Sequence, residues 1–463
     1  MRVFMLGWEF PPFISGGLGT ACSGLTKALS RQNVSIVFVL PKAIGTEHTS
    51  HVKLLAPQAP RAAFGDRSPE AVASTYQIEE QTPVSTTSPT ERITFKAVPS
   101  RITNPYQSFR PEEERIMVKE RQARAAQAIG TAVTSGAPGG VMAGPGSAPY
   151  EGDLIAETQR YAALCVDLAR GEQFDVIHAH DWMTFPAGMA VAAVTGKPLV
   201  VHVHSTEFDR AGENVHQQIY EIERRGMHAA CRVICVSYLT SSIVQHRYGI
   251  PANKIDVVYN GIENGHDPNL NQPTPGMSIR KRDKIVLFLG RITMQKGPEY
   301  FVRAAKKVLE KIEDVKFIMA GAGDKVPDVI DLAAREGIGH KVLFTGFLRG
   351  PDVERVFRMA DVYVMPSVSE PFGIAPLEAI SHDVPVIISK TSGVAEVLSH
   401  ALKVDFWDTD EIANKIIAVL RHPPLSSTLR EHADMELRRL TWDDAATRCR
   451  EVYERTLATM GAW

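Results

Sequence analysis

The chain of 463 residues is 44% hydrophobic and 22% charged, with a formal net charge of -2. This is the composition of an ordinary globular protein, and it gives no electrostatic ground for binding nucleic acid or an acidic membrane. A single core rarely grows beyond about 250–300 residues, so two large lobes are expected. Cys22, Cys165, Cys231, Cys235 and Cys449 are few, odd in number and mostly set in apolar segments, which reads as buried thiols in a reducing cytoplasm. The start, MRVFMLG, reads as a strand and not a signal peptide, and no apolar run approaches the roughly 18 residues of a spanning helix.

The opening strand runs into WEFPPFISGGLGTACSGL, residues 8–25. Gly16, Gly17 and Gly19 match neither the P-loop, which needs a following Lys-Ser/Thr, nor the G-x-G-x-x-G of dinucleotide folds. Beyond them Leu18, Ala21, Cys22, Leu25, Ala28 and Leu29 recur at helical spacing. The helix therefore starts at the glycine turn and presents free N–H groups and its positive dipole end to whatever approaches. A tight strand-to-helix turn without a ligand is the alternative.

Further apolar runs follow: SIVFVL, FDVIHAH, LVVHVH, RVICVS and IDVVYN. Two of them close on His180 and His204. Residues 56–91, rich in Ala, Pro, Ser and Thr, and residues 105–152, which include the charged helical pattern PEEERIMVKERQARAAQAIG, read as insertions. The polar, Pro-containing stretch 265–284 reads as a linker between domains 1–264 and 285–440. The second half repeats the pattern with IVLFLG, VKFIMAG, KVLFTG, VYVMPS, PVIIS and LKVDF. Near-continuous apolar strands separated by helices predict an α/β protein of two doubly wound, Rossmann-like domains with parallel sheets.

Two clusters in the second half carry chemistry. In GRITMQKGPEY, residues 290–300, Arg291 and Lys296 flank a short loop after a strand, a pairing suited to a diphosphate. In PSVSEPFGIAPLEAISHDVPVIIS, residues 366–389, Glu370 precedes Pro-Phe-Gly and Glu378 lies eight positions on, inside an apolar helical run. A Glu among Leu, Ala and Ile is costly unless hydrogen-bonded, and sugar hydroxyls are natural partners.

Together these segments resemble the retaining nucleotide-sugar glycosyltransferases of GT-B fold, the group 1 (family 4) type that includes glycogen and starch synthases and sucrose-phosphate synthases. The resemblance rests on GGLG, HAHDW at 178–182, VYNGIE at 258–263, GRITMQKG, EPFGIAPLE and SGVAEVL, and is least over residues 40–170. It implies two domains facing across a cleft, with the segment 441–463 forming a helix that crosses back to the first domain. It implies that Gly16 and Gly17 lie against the donor sugar and diphosphate. Arg291 and Lys296 would neutralise the leaving diphosphate, and Glu370 would touch the transferred sugar. The N–H groups of Phe372, Gly373 and Ile374 would hold sugar and phosphate, and Glu378 the ribose. The His that follows HDW in the glycogen synthase branch is Met183 here, which leaves His204 and His180 as catalytic candidates.

The implied activity is transfer of a hexosyl group, glucosyl in the first instance, from ADP-glucose or UDP-glucose to a glucan or another sugar acceptor. A small sugar, sugar phosphate or lipid acceptor fits the same motifs. Nucleotide-sugar hydrolysis or epimerisation, a phosphorylase and a non-catalytic binding protein are the other readings. With no Asp-x-Asp at a strand end, neither a metal nor another cofactor is expected at the donor.

Overall fold

The computed structural model describes residues 1–11, 16–41, 54–55, 93–97, 154–263 and 283–460. Both expected insertions and nearly all of the expected linker lie outside these residues. The first domain holds β1 (Arg2–Leu6), β2 (Ser35–Leu40), β3 (Leu54–Leu55), β4 (Ile93–Ala97), β5 (Val176–His180), β6 (Leu199–Val203), β7 (Arg232–Cys235) and β8 (Ile255–Val257). All pair in parallel, in the order β3-β4-β2-β1-β5-β6-β7-β8. Its helices are α1 (Gly17–Arg31), α2 (Leu154–Arg170), α3 (Phe185–Thr195), α4 (Glu207–Ala211), α5 (Gln217–Ala229) and α6 (Tyr238–Tyr248).

The second domain holds β9 (Lys284–Leu289), β10 (Val315–Ala320), β11 (Val342–Gly346), β12 (Val362–Met365), β13 (Val386–Ser389) and β14 (Leu402–Val404). Their order, β11-β10-β9-β12-β13-β14, is the 3-2-1-4-5-6 arrangement of a doubly wound sheet. Its helices are α7 (Pro298–Leu309), α8 (Val326–Arg335), α9 (Pro351–Met359), α10 (Ile374–Ser381), α11 (Thr409–Arg421) and α12 (Pro423–Leu437), followed by α13 (Trp442–Met460).

Period-two alternation explains how each sheet serves two cores. On β1, Phe4 and Leu6 enter one apolar cluster, while Val3 and Met5 enter the other. The helical repeat of α1 buries Leu18, Ala21, Cys22, Leu25, Ala28 and Leu29 in the second of these. Helix α13 joins that same cluster through Trp442, Ala445, Ala446, Cys449, Val452 and Tyr453. The last helix, though it follows the second domain, is thus a structural part of the first. Its entry is tight: a Cβ on Gly24 would stand 2.2 Å from the Trp442 ring. One expectation fails here. Cys231 is exposed, because it precedes the first residue of β7, whereas the other four cysteines are buried.

Among the described residues, two groups of side-chain hydrogen bonds join the domains. The Glu396 carboxylate accepts from the N–H of Tyr238 (2.9 Å) and Leu239 (2.7 Å) at the start of α6, and from the Tyr259 hydroxyl (3.0 Å). Ser237 Oγ donates to the Pro371 carbonyl at 2.6 Å. Nearer the strand ends, Ser369 Oγ donates to Asp209 Oδ1 at 2.6 Å.

Candidate active site

Each sheet reverses its winding once, between β1 and β5 in the first domain and between β9 and β12 in the second. Loops diverge at such a point, and the crevice beyond the strands' C-terminal ends is where α/β folds bind ligands. The expected site residues follow these four strands, with the addition of β6.

In the second domain, Arg291 leaves β9 and is exposed. Lys296 closes the 3-10 turn Met294–Lys296, and Gly297 follows at φ 61°. A Cβ on Gly297 would lie 2.1 Å from the Pro366 carbonyl oxygen, so only glycine lets this turn close onto the loop after β12. The approach brings Lys296 into an ion pair with Glu370, with side chains 19% and 8% exposed. Ser367 Oγ also donates to Glu370, at 3.3 Å. Gly373, at φ 104°, turns the chain into α10. The first N–H groups of α10 therefore open beside the Lys296–Glu370 pair, with no helical acceptor of their own. Glu378 lies in the second turn of α10. It keeps partial solvent contact, more than the sequence suggests, yet burial pushes its pKa up to about 7.

In the first domain, α1 begins at Gly17 with Gly16 as its N-cap. The carboxylate of Glu9, a residue the sequence reading passed over, occupies part of this helix end. A Cβ on Gly16 would be 2.8 Å from Glu9 Oε2. Burial raises the Glu9 pKa to about 6, against the pull of Arg291 and of the Gly19 N–H. Gly16 thus lies against a buried acid of its own domain, while a Cβ on Gly17 would meet no described residue within 4 Å.

The structure separates the two candidate histidines. His204 is partly exposed, whereas His180 is fully buried behind it, its Nδ1 2.9 Å from His204 Nε2. Desolvation lowers the His204 pKa to about 3, so the ring is neutral at pH 7. Its backbone is held by Asp181, which sits at φ 58° and accepts from the N–H of His204 (2.7 Å) and Ser205 (3.3 Å). Asp is among the few residues that tolerate this left-handed conformation. Burial, opposed by Arg210 and these two N–H groups, brings the Asp181 pKa to about 7.

After His204 the chain is stiffened by a capping box between Thr206 and Asp209. Arg210, paired with Glu207 and Glu223, adds to it and also donates to the Ser205 carbonyl at 3.2 Å. Asp209 is the acceptor for Ser369, the residue before Glu370. One rigid segment therefore links the His204 side of the cleft to the Lys296–Glu370 side. The sequence signals missed were the alternation of His178, His180, His202 and His204 along two strands, and the acid in WEFPP.

Two doubly wound domains with cations and a helix N-terminus at one switch point, and a neutral histidine on the facing domain, suit an anionic, phosphate-bearing ligand. Comparisons with known proteins agree. The starch synthase catalytic domain matches residues 2–129, glycosyltransferase family 4 matches residues 144–265, and glycosyl transferases group 1 match residues 276–435. An uncharacterised glycosyltransferase of Methanocaldococcus jannaschii is 34% identical over 304 residues, 63% of this chain and 77% of that protein. The chain belongs to the group 1 glycosyltransferases and is a hexosyltransferase.

Glycogen synthase of Mycobacterium tuberculosis is 23% identical over 465 residues, 98% of this chain and 94% of its own. Among solved structures, sucrose-phosphate synthase of Thermosynechococcus elongatus superposes with TM-score 0.67 at 16% identity, covering 99% of both chains. Anabaena HepE in complex with UDP-glucose gives 0.61 at 16% identity, covering 100% of both. These neighbours establish the GT-B fold. No helix among the described residues is long and apolar enough to cross a membrane.

Proposed function

We propose that this enzyme transfers a glucosyl group, with retention of anomeric configuration, from UDP-glucose or ADP-glucose to the hydroxyl of an α-glucan, in the cytoplasm. The observation that carries the donor half is the Lys296–Glu370 pair, set beside Arg291 and the N-terminus of α10. Departure of a nucleoside diphosphate concentrates negative charge on the leaving oxygens. Two cations and a helix end, fixed before the reaction, stabilise that charge without reorganisation. Arg291 forks onto the diphosphate, and Lys296 supplies a point charge that Glu370 orients. Glu370 holds hydroxyls of the transferred sugar, and the N–H groups of Phe372, Gly373 and Ile374 hold sugar and phosphate. Glu378 accepts from the ribose diol, and Gly17 leaves room for the donor against α1.

His204 faces the sugar from the first domain as an uncharged hydrogen-bonding group, with His180 fixing its ring. A diphosphate oxygen on the same face as the incoming hydroxyl accepts its proton while the glycosidic bond to the diphosphate breaks. The diphosphate leaves carrying that proton. The glucan acceptor is favoured by the near full-length similarity to a glycogen synthase. A sugar-phosphate acceptor is the second reading, favoured by the sucrose-phosphate synthase neighbour.

The test mixes the enzyme with UDP-glucose, ADP-glucose and GDP-mannose, with and without glycogen or fructose 6-phosphate, and measures release of nucleoside diphosphate. Glucan-dependent release from one glucose donor is expected, with the new linkage α by NMR. A β-linked product overturns retention, and release that needs no acceptor makes the enzyme a hydrolase. Turnover is expected without added divalent ion; abolition by a chelator that Mg²⁺ or Mn²⁺ reverses would refute this.

A further inference from the structure

We propose that His178, His180 and His202 form a binding site for one divalent transition-metal ion of the zinc type, buried between the first sheet and helices α1 and α13. The topology builds the site. His178 and His180 are i and i+2 on β5 and so project from the same face, and His202 is paired in register with His180 on β6. Their side chains are 0%, 0% and 2% exposed. One ring nitrogen from each lies within 4.8 Å of the other two.

The hydrogen bonds also select which nitrogens remain. His178 Nδ1 meets the Tyr453 hydroxyl of α13 at 2.6 Å, and His180 Nδ1 meets His204 Nε2 at 2.9 Å. In each ring the other nitrogen, Nε2, is buried with no partner among the described residues, and His202 has none there on either nitrogen. Four buried ring nitrogens unpaired at one place are costly if left so. Metal-bound imidazoles have this arrangement: the far N–H is given to a second partner, and the near lone pair is left for the ion. In the tautomers that metal binding requires, His178 Nδ1–H donates to the Tyr453 oxygen and His180 Nδ1–H to His204 Nε2. Both Nε2 lone pairs are then left for the ion.

Burial also lowers the basicity of all three rings, keeping them in the neutral, ligating form. Imidazole sets suit Zn²⁺, Cu²⁺ and Ni²⁺. Zn–N bonds of about 2.0–2.1 Å need the nitrogens closer than they now stand, so binding turns the rings out of their present stacked arrangement, and water completes four ligands. The site lies behind His204, away from the diphosphate cations. It ties β5 to β6 directly and to the C-terminal helix through Tyr453.

The test uses the full-length protein without a histidine tag, stripped with chelator and dialysed against ZnCl₂, then assayed for metal by mass spectrometry. One zinc per chain is expected, with a rise in melting temperature. Co²⁺ in its place is expected to give the visible bands of a four-coordinate ion. His202→Ala and the milder His202→Gln should both lose the metal while keeping the far-UV circular dichroism of the folded chain. Tyr453→Phe should weaken zinc binding about 10–100-fold, as loss of an outer partner does. Less than one zinc per chain, or zinc retained equally by both His202 variants, overturns the proposal. So does a crystal structure from zinc-containing solution with only water between the Nε2 atoms. None of these readouts depends on the transferase reaction.

Discussion

The two halves of the cleft solve different electrostatic problems. The second domain sets charge against charge: Arg291 is exposed, and Lys296 is paired with Glu370 at the mouth of α10. The first domain sets a neutral ring, His204, in front of a stack of neutral rings, with Asp181 and Glu9 held toward their protonated forms by burial. Under the proposed transfer, the contrast fits a division of labour between a donor that sheds an anion and an acceptor that brings an uncharged hydroxyl. A fixed cation steadies the first, while oriented dipoles place the second without charging it.

If charge belongs to the donor half, its removal there should be most damaging. Lys296→Ala deletes a cation and leaves Glu370 6% exposed without its counter-ion. Turnover should fall about 10²–10³-fold, the usual size for loss of one preorganised group. A loss under fivefold would mean that Lys296 only holds Glu370 in place. Across the cleft, His204→Ala should lower kcat on the order of 10²-fold and leave UDP or ADP binding, measured by calorimetry, unchanged. Equal weakening of nucleotide binding would erase the distinction between the halves.

The Asp209–Ser369 bond is where the halves meet. Ser369→Ala removes one neutral-to-carboxylate hydrogen bond, so kcat should drop about 3–10-fold with an unaltered melting temperature, and Ser369→Thr should restore it. A fall in melting temperature with no change in kcat would make the bond structural only.

Glu378 yields the smallest effect, visible in pH dependence. Its folded pKa of about 7 stands above the unfolded value of about 4.3. The protonated carboxyl therefore favours the fold: its contribution is complete below about pH 4.3 and is lost as pH rises through 7. Between pH 5 and 8 the unliganded protein should lose more melting temperature than Glu378→Gln does. UDP should protect it better at pH 8 than at pH 6, because the ionised carboxylate is the stronger acceptor for the ribose. Parallel curves for the two proteins would remove Glu378 from the ribose site.

Much of this was legible in the order of residues. Apolar runs without alternation announced parallel, doubly covered strands, and the helical spacing after Gly17 placed α1. Arg291 and Lys296 stood out because they flank a loop after a strand, and Glu370 because it precedes Pro-Phe-Gly eight positions before Glu378; the structure brings Lys296 and Glu370 together as an ion pair. Other features gave no local signal. Glu9 looked like part of a stiff loop, and only the fold shows its carboxylate against Gly16 at the helix end. Asp209 and Ser369 are 160 positions apart, and no short motif links them.

The histidines mark the boundary most clearly. Sequence alone determined that His178, His180, His202 and His204 alternate on two strands, because a strand's period of two is local geometry. Which ring reaches the cleft, and which lies behind it against Tyr453, was decided by the tertiary structure. Strand register and the docking of α13 depend on burial shared between segments up to 415 residues apart. Local propensity can place a side chain on a face, but only packing determines what that face meets.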